Sequence, residues 1–258
     1  MKDFISHVIA VLYRNLIWSY RSPFRLLDVT LWPLWMVFML SVFLSVVDAD
    51  PSYLALIIVS VAGWRAIFFV GFETTVMVLE EHWHDALPDI LVSPISALQL
   101  ALGGALTGVL KTIAVVIMFL AVGYLAFGIE LADFATFLIA LFFLMLAGFS
   151  FGFVLFGMAA VFDKRNVFTL SFMLPEVIGV ASGPYYNIAD VFPPCMVSVL
   201  NTFPTTHAFN LIKSIFGITQ PDYFMLVITS MVWLCLAIVL NRTLYDFGRR
   251  MGTLTKVG

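Results

Sequence analysis

The densest concentration of reactive side chains lies at residues 80–94, EEHWHDALPDILVSP, in a chain only 11% charged. Four carboxylates (Glu80, Glu81, Asp85 and Asp89) alternate there with two imidazoles, His82 and His84. Such groups could dock a cationic surface, tune a contact with pH, or ligate a metal. The acids recur at about helical spacing, while Trp83, Leu87, Ile90 and Leu91 supply an apolar face. An amphipathic helix in a short loop suits insertion into a groove on a soluble partner, and we expect docking here; a solvated acidic loop is the plainer alternative. Two histidines with neighbouring acids are weak evidence for a metal, so no metal site is assigned.

A second group is scattered through apolar runs: Arg65, Glu73, Lys111 and Glu176. A charge at mid-bilayer costs roughly 2.5–3.5 kcal/mol, so each should face protein or water. Two readings stay open. The four can form internal ion pairs, Arg65 or Lys111 with Glu73 or Glu176, or they can line a path for anionic substrate groups. In an ion-coupled secondary transporter the same four residues would form a proton or sodium relay. That alternative lacks an inverted repeat and leaves residues 80–94 unexplained. Nothing in the chain pairs a nucleophile with a base, and no basic surface suits nucleic acid. Cys195 and Cys235 give no disulfide framework.

The elements that must position these groups are membrane helices. The 258 residues are 62% hydrophobic, with a mean hydropathy of +1.05. A soluble domain of this size could not cover its surface with so little charge. Apolar runs of about 18 residues or more can cross a hydrocarbon core of roughly 30 Å. They lack the alternation of barrel strands, so the expected fold is all-α. We read six spans, at about 28–47, 53–79, 98–127, 134–162, 167–182 and 223–240. Together they form a single transmembrane domain over residues 1–258.

Two further segments complete this layout. Residues 1–25, with His7, Arg14, Arg21 and Arg25 on one side, suit an amphipathic helix in the membrane interface. Residues 183–218 are broken by Pro184, Pro193, Pro194 and Pro204 and should form short helices, because proline removes a donor and clashes with the preceding turn. With the N-terminus in the cytoplasm, that side holds Lys2, Arg14, Arg21, Arg25, Lys164, Arg165, Arg242, Arg249, Arg250 and Lys256, against Lys213 alone outside. This bias places both termini and residues 80–94 in the cytoplasm and the proline-broken segment outside, in a cell membrane.

The basic N-terminal helix, Pro33 in the first span, the insert ending LVSPISALQLALGG and the outer segment containing FPTTHAFNLIKSIFG together resemble the membrane subunit of an ABC-2 type exporter. The resemblance covers nearly the whole chain. It implies that residues 80–94 are a coupling helix, with Glu81, Trp83, His84, Asp85, Leu87, Asp89, Ile90 and Leu91 against an ABC ATPase. It also implies that the four prolines belong to an outer gate. HDALPDI stands where the family often carries Gly-Thr, and Pro88 would shorten or kink the helix there. The family works as two membrane subunits over two ATPases, so a second copy or similar chain, an ATPase subunit and membrane lipids are the expected partners. No Walker A loop is present. ATP and magnesium would bind the ATPase partner, with no cofactor in this chain. The implied cargo is an amphiphile, lipid or lipid-linked glycan.

Overall fold

The computed structural model describes residues 2–46, 51–83 and 93–251. Ten helices account for the described elements: α1 (Lys2–Arg21), α2 (Pro23–Val46), α3 (Pro51–Trp83), α4 (Ala97–Phe127), α5 (Phe134–Met158), α6 (Lys164–Ala181), α7 (Ile188–Val191), α8 (Pro194–Leu200), α9 (Pro204–Ile215) and α10 (Tyr223–Met251). Among the described residues there is no strand.

Local chemistry fixes most helix ends. Ser96 and Gln99 form a reciprocal capping box at the start of α4, and Gly128 ends that helix at φ 64°, a left-handed conformation that suits glycine. Asp133 accepts from the Thr136 hydroxyl and from the Thr136 backbone N–H to begin α5, and these bonds hold its carboxyl below the usual carboxylate range. Asp163 caps α6 through the Arg165 and Asn166 N–H groups.

Among the described residues, four helices are long and apolar enough to cross a membrane: Ser52–Trp83, Ala97–Leu125, Phe134–Met158 and Tyr223–Met251. The two further spans read from the sequence correspond to α2 and α6. The 18 residues of α6 include Lys164, Arg165 and Glu176, which lower its apolar character.

The organising element is α3. Its apolar window is 94% buried, against 39%, 56% and 17% for α4, α5 and α10. Helix α4 packs antiparallel along one side of it, and α5 runs parallel along another. Both contacts depend on missing side chains. A Cβ at Gly104 or Gly108 would stand 2.5 Å from the carbonyl oxygen of Glu73 or Phe69, and Gly148 and Gly152 sit as tightly on Ile67 and Gly71. Close approach at small-xxx-small positions is how helices associate in lipid. Helix α6 lies antiparallel on a third side, through Phe172 on Phe68 and Phe168 on Phe72. Trp64 fills the notch left by Gly179. Helix α10 packs on α5, where the Asn241 side chain donates to the Phe153 carbonyl at 2.7 Å.

Helix α1 is seated on protein. Its stripe Val8, Val11, Asn15 and Ser19 is buried, whereas Phe4, Ile5, Ile9, Tyr13 and Tyr20 are exposed. Val11 sits where a Cβ on Gly103 of α4 would be, and the buried Asn15 amide donates to Thr107 at 3.3 Å.

Candidate functional site

The charged residues of α3 fall at three levels of one long helix. Arg65 and Glu73 are eight positions apart, about 12 Å along the axis, and Glu80 and Glu81 lie about another 10 Å further on. Each meets a charge of opposite sign from a different helix.

At the first level, Arg65 Nη1 lies 2.8 Å from Glu176 Oε1 of α6. The guanidinium also stands over the Phe68 and Phe69 rings, 4.5 and 5.4 Å from their centroids. Aromatic faces stabilise a desolvated cation through their quadrupoles. Arg65 is only 2% exposed, and Glu176 is half-buried. At the second level, Lys111 of α4 donates to Glu73, both buried. The buried Thr74, Thr107 and Thr112 of the same two helices each bond the carbonyl four residues back, which satisfies their hydroxyls inside an apolar bundle.

The third level differs from the layout expected for residues 80–94. Helix α3 continues through Glu80 and Glu81 to Trp83, so these two acids end the second long helix. Both are buried. Glu81 pairs with Arg14 of α1, and Glu80 pairs with Arg25 at the start of α2. The Arg25 guanidinium also lies 4.8 Å from the Trp18 ring. Trp83 is half-exposed and rests edge-on against Phe168 of α6, ring centroids 5.2 Å apart. His84, Asp85, Leu87, Asp89, Ile90 and Leu91 lie outside the described residues.

The structure thus brings Arg65 to Glu176 and Lys111 to Glu73, two pairs that share α3 and draw their partners from different helices, α6 and α4. Each carboxylate has one cation. Removing one member of such a pair leaves a buried charge without compensation, a far larger cost than the pair's own net contribution.

The prolines of the far segment start helices as much as they interrupt them. Pro194 and Pro204 occupy the first positions of α8 and α9, where a missing N–H costs nothing. Pro193 is the N-cap of α8. The Pro184 carbonyl follows Gly183 (φ 68°) and accepts the Ser60 hydroxyl at 2.7 Å, tying this segment to α3.

Sequence reasoning passed over the residues that close this end. Lys213 of α9 is 1% exposed and donates to the Tyr186 carbonyl at 2.9 Å; burial pushes its pKa down to about 8. Ser182 and Thr205 share a 2.6 Å hydrogen bond, and Trp233 Nε1 donates to the Thr202 carbonyl at 2.8 Å. The available signal was Lys213 itself, the lone basic residue assigned to that side. At the opposite end, Asn15 interrupts an apolar stripe of α1 and was the corresponding clue.

A family described as ABC-2 family transporter protein matches residues 47–240, most of the chain. No curated protein matches it.

Proposed function

The chain belongs to the ABC-2 transporter family, and from that premise we propose that it is the permease subunit of an ATP-driven exporter, powered by separate ATPase subunits. In this reading residues 84–92, with Trp83, form the surface that receives the ATPase. Six helices cross the membrane, α2, α3, α4, α5, α6 and α10, with both termini cytoplasmic. Two copies, or this chain and a similar one, enclose the path, and α7–α9 with Pro184, Pro193, Pro194 and Pro204 gate its outer end. The cargo is an amphiphile, lipid or lipid-linked glycan.

The observation that carries this proposal is the fixing of α3 at its Glu80–Trp83 end. The helix that enters segment 84–92 is the most buried of the four long apolar helices among the described residues. Its last turn is held to α1 and α2 by Arg14 and Arg25. On its far side it holds α6 through Arg65–Glu176 and reaches the outer segment through Ser60–Pro184. Force applied just beyond Trp83 therefore enters the core of the bundle directly.

The test is co-expression with a candidate ATPase subunit, followed by purification and reconstitution. We expect the two to co-purify and cysteines placed at positions 84–91 to cross-link to the ATPase. Exchange of Trp83 and Asp85 for alanine should cut transport at least tenfold. Transport that persists without ATP and follows an ion gradient would instead identify a secondary transporter.

A further inference from the structure

Glycines in these helices fall into two kinds. At Gly104, Gly108, Gly148 and Gly152 an added Cβ would strike backbone of a neighbouring helix within 3 Å. Gly123, near the end of α4, is different: a Cβ there would meet Ile58 Cγ2 at 3.6 Å and Ile129 Cβ at 3.8 Å, ordinary contacts. Helix packing does not require a glycine at this position. Within a helix, glycine costs about 1 kcal/mol relative to alanine. What its missing side chain leaves is space. A pocket of about 260 Å³ opens there between α3 and α4, with Ile58, Leu120, Gly123 and Tyr124 in its wall. Ile129 and Leu131, in the turn after α4, line it from above. The wall is almost wholly apolar, and the one charged side chain in its lining is Glu130.

Two features say what enters. The pocket lies at headgroup depth, because Tyr124 and Tyr53, both exposed, mark this end of the α3–α4 pair as tyrosines mark membrane interfaces. Its volume is below the roughly 300–1,000 Å³ of sites that hold drug-sized ligands, so it suits one alkyl chain. Glu130 is exposed at the rim, Asp133 follows three residues later, and no ion pair among the described residues engages Glu130.

We propose that this pocket binds a phospholipid of the adjoining leaflet, one acyl chain entering past Gly123 and an ammonium headgroup resting on Glu130. The site is separate from any translocation path and does not depend on which way the chain is oriented. Its consequence is a lipid wedge between α3 and α4 at the end opposite the Glu80 and Glu81 ion pairs.

Photolabelling of the full chain in phosphatidylcholine nanodiscs tests it. One probe is a phosphatidylethanolamine with a diazirine on one acyl chain; the other is the phosphatidylglycerol of identical chains. We expect the ethanolamine probe to label the Ile58 and Leu120–Tyr124 peptides at least threefold more than the glycerol probe. Gly123→Leu should reduce that labelling at least fivefold with the thermal midpoint unchanged or raised, and Leu120→Trp should do the same from the opposite wall. Glu130→Gln should leave the labelling but erase the headgroup preference. Labelling no denser than on the exposed Leu236, Ile238 and Val239 of α10, or labelling that both pocket-filling variants leave intact, would overturn the site. Equal labelling by the two probes in the unaltered protein would overturn the headgroup assignment.

Discussion

The two ends of α3 are secured by different chemistry. At the Trp83 end and through the middle of the bundle, charge meets charge: Glu80–Arg25, Glu81–Arg14, Glu73–Lys111 and Arg65–Glu176. At the Pro51 end the ties are neutral acceptors and hydroxyls: Ser60 to the Pro184 carbonyl, Ser182 to Thr205, and a buried lysine on the Tyr186 carbonyl. Ion pairs across helices fix register and resist separation. Bonds to loop carbonyls hold only while the loop keeps its conformation. In the function proposed above, the first end would receive force and the second would rearrange.

The sharpest way to break this contrast is to strand a charge. Glu73→Ala should destabilise the protein by roughly 3–5 kcal/mol, because Lys111 is left buried and unpaired. Glu73→Leu combined with Lys111→Met should recover most of that loss. Thermal unfolding in detergent, read as a double-mutant cycle, measures both; additive losses would show that the pair is not a unit.

Lys213 should show the opposite sign of effect. Its folded pKa, about 8, lies below the ordinary 10.5. Below pH 8 both folded and unfolded forms carry the proton, and folding bears the full penalty of burying it. Between pH 8 and 10.5 the folded form releases its proton first, so stability climbs with pH. The gain is on the order of 3 kcal/mol in all. Melting measured from pH 7 to 10 follows most of this rise, before Tyr185 and Tyr186 ionise, since burial holds both phenols above their usual value. Lys213→Met should flatten the profile and stabilise the protein at pH 7.

A smaller effect tests the packing common to both ends. Gly148→Ala forces a Cβ to 2.7 Å from the Ile67 carbonyl, and overpacking of this kind costs roughly 1–3 kcal/mol in melting experiments. The smallest effect on stability belongs to the double change Arg14→Met with Glu81→Met, which strands no charge: replacing both members of an ion pair by apolar side chains is close to neutral, within about 1 kcal/mol here because Arg14 is partly exposed. Its informative readout is coupling: in the exporter proposed above, ATPase activity stimulated by cargo should fall severalfold while the melting midpoint barely moves.

The helical class and the long apolar helices were legible because an apolar run longer than the bilayer core admits few structures. The hub was not. Helix α3 has the lowest hydropathy of the four spanning candidates, 2.1 against 2.3 to 2.5, yet is the most buried. Lipid is as apolar as a protein interior, so hydrophobicity cannot tell which helix lies inside. Small residues and charges carried that information: Gly104 and Gly108 mark the α4 contact, and Arg65 and Glu73 mark a helix that cannot face lipid. The choice of ion-pair partners was equally hidden. Arg65 and Glu176 are 111 positions apart, and only the antiparallel register of α3 and α6 selects that pairing over Arg65 with Glu73. The extension of α3 through Glu80 and Glu81 was missed for the same reason, since the arginines that neutralise them come from the other end of the sequence.

One consequence follows from the length of α3. Its 33 residues make a rod of about 50 Å, well beyond a hydrocarbon core of roughly 30 Å. Pivoted at the Glu73–Lys111 level or nearby, such a rod is a lever. A tilt of about 10° about Glu73 moves Trp83, about 15 Å away, by about 2.6 Å and Ser60, about 20 Å away on the other side, by about 3.4 Å in the opposite direction, on the geometry of a straight helix. Under the proposed function, a nudge at Trp83 would reappear at Ser60 as a sideways pull on Pro184, whose carbonyl accepts the Ser60 hydroxyl, with no helix needing to bend.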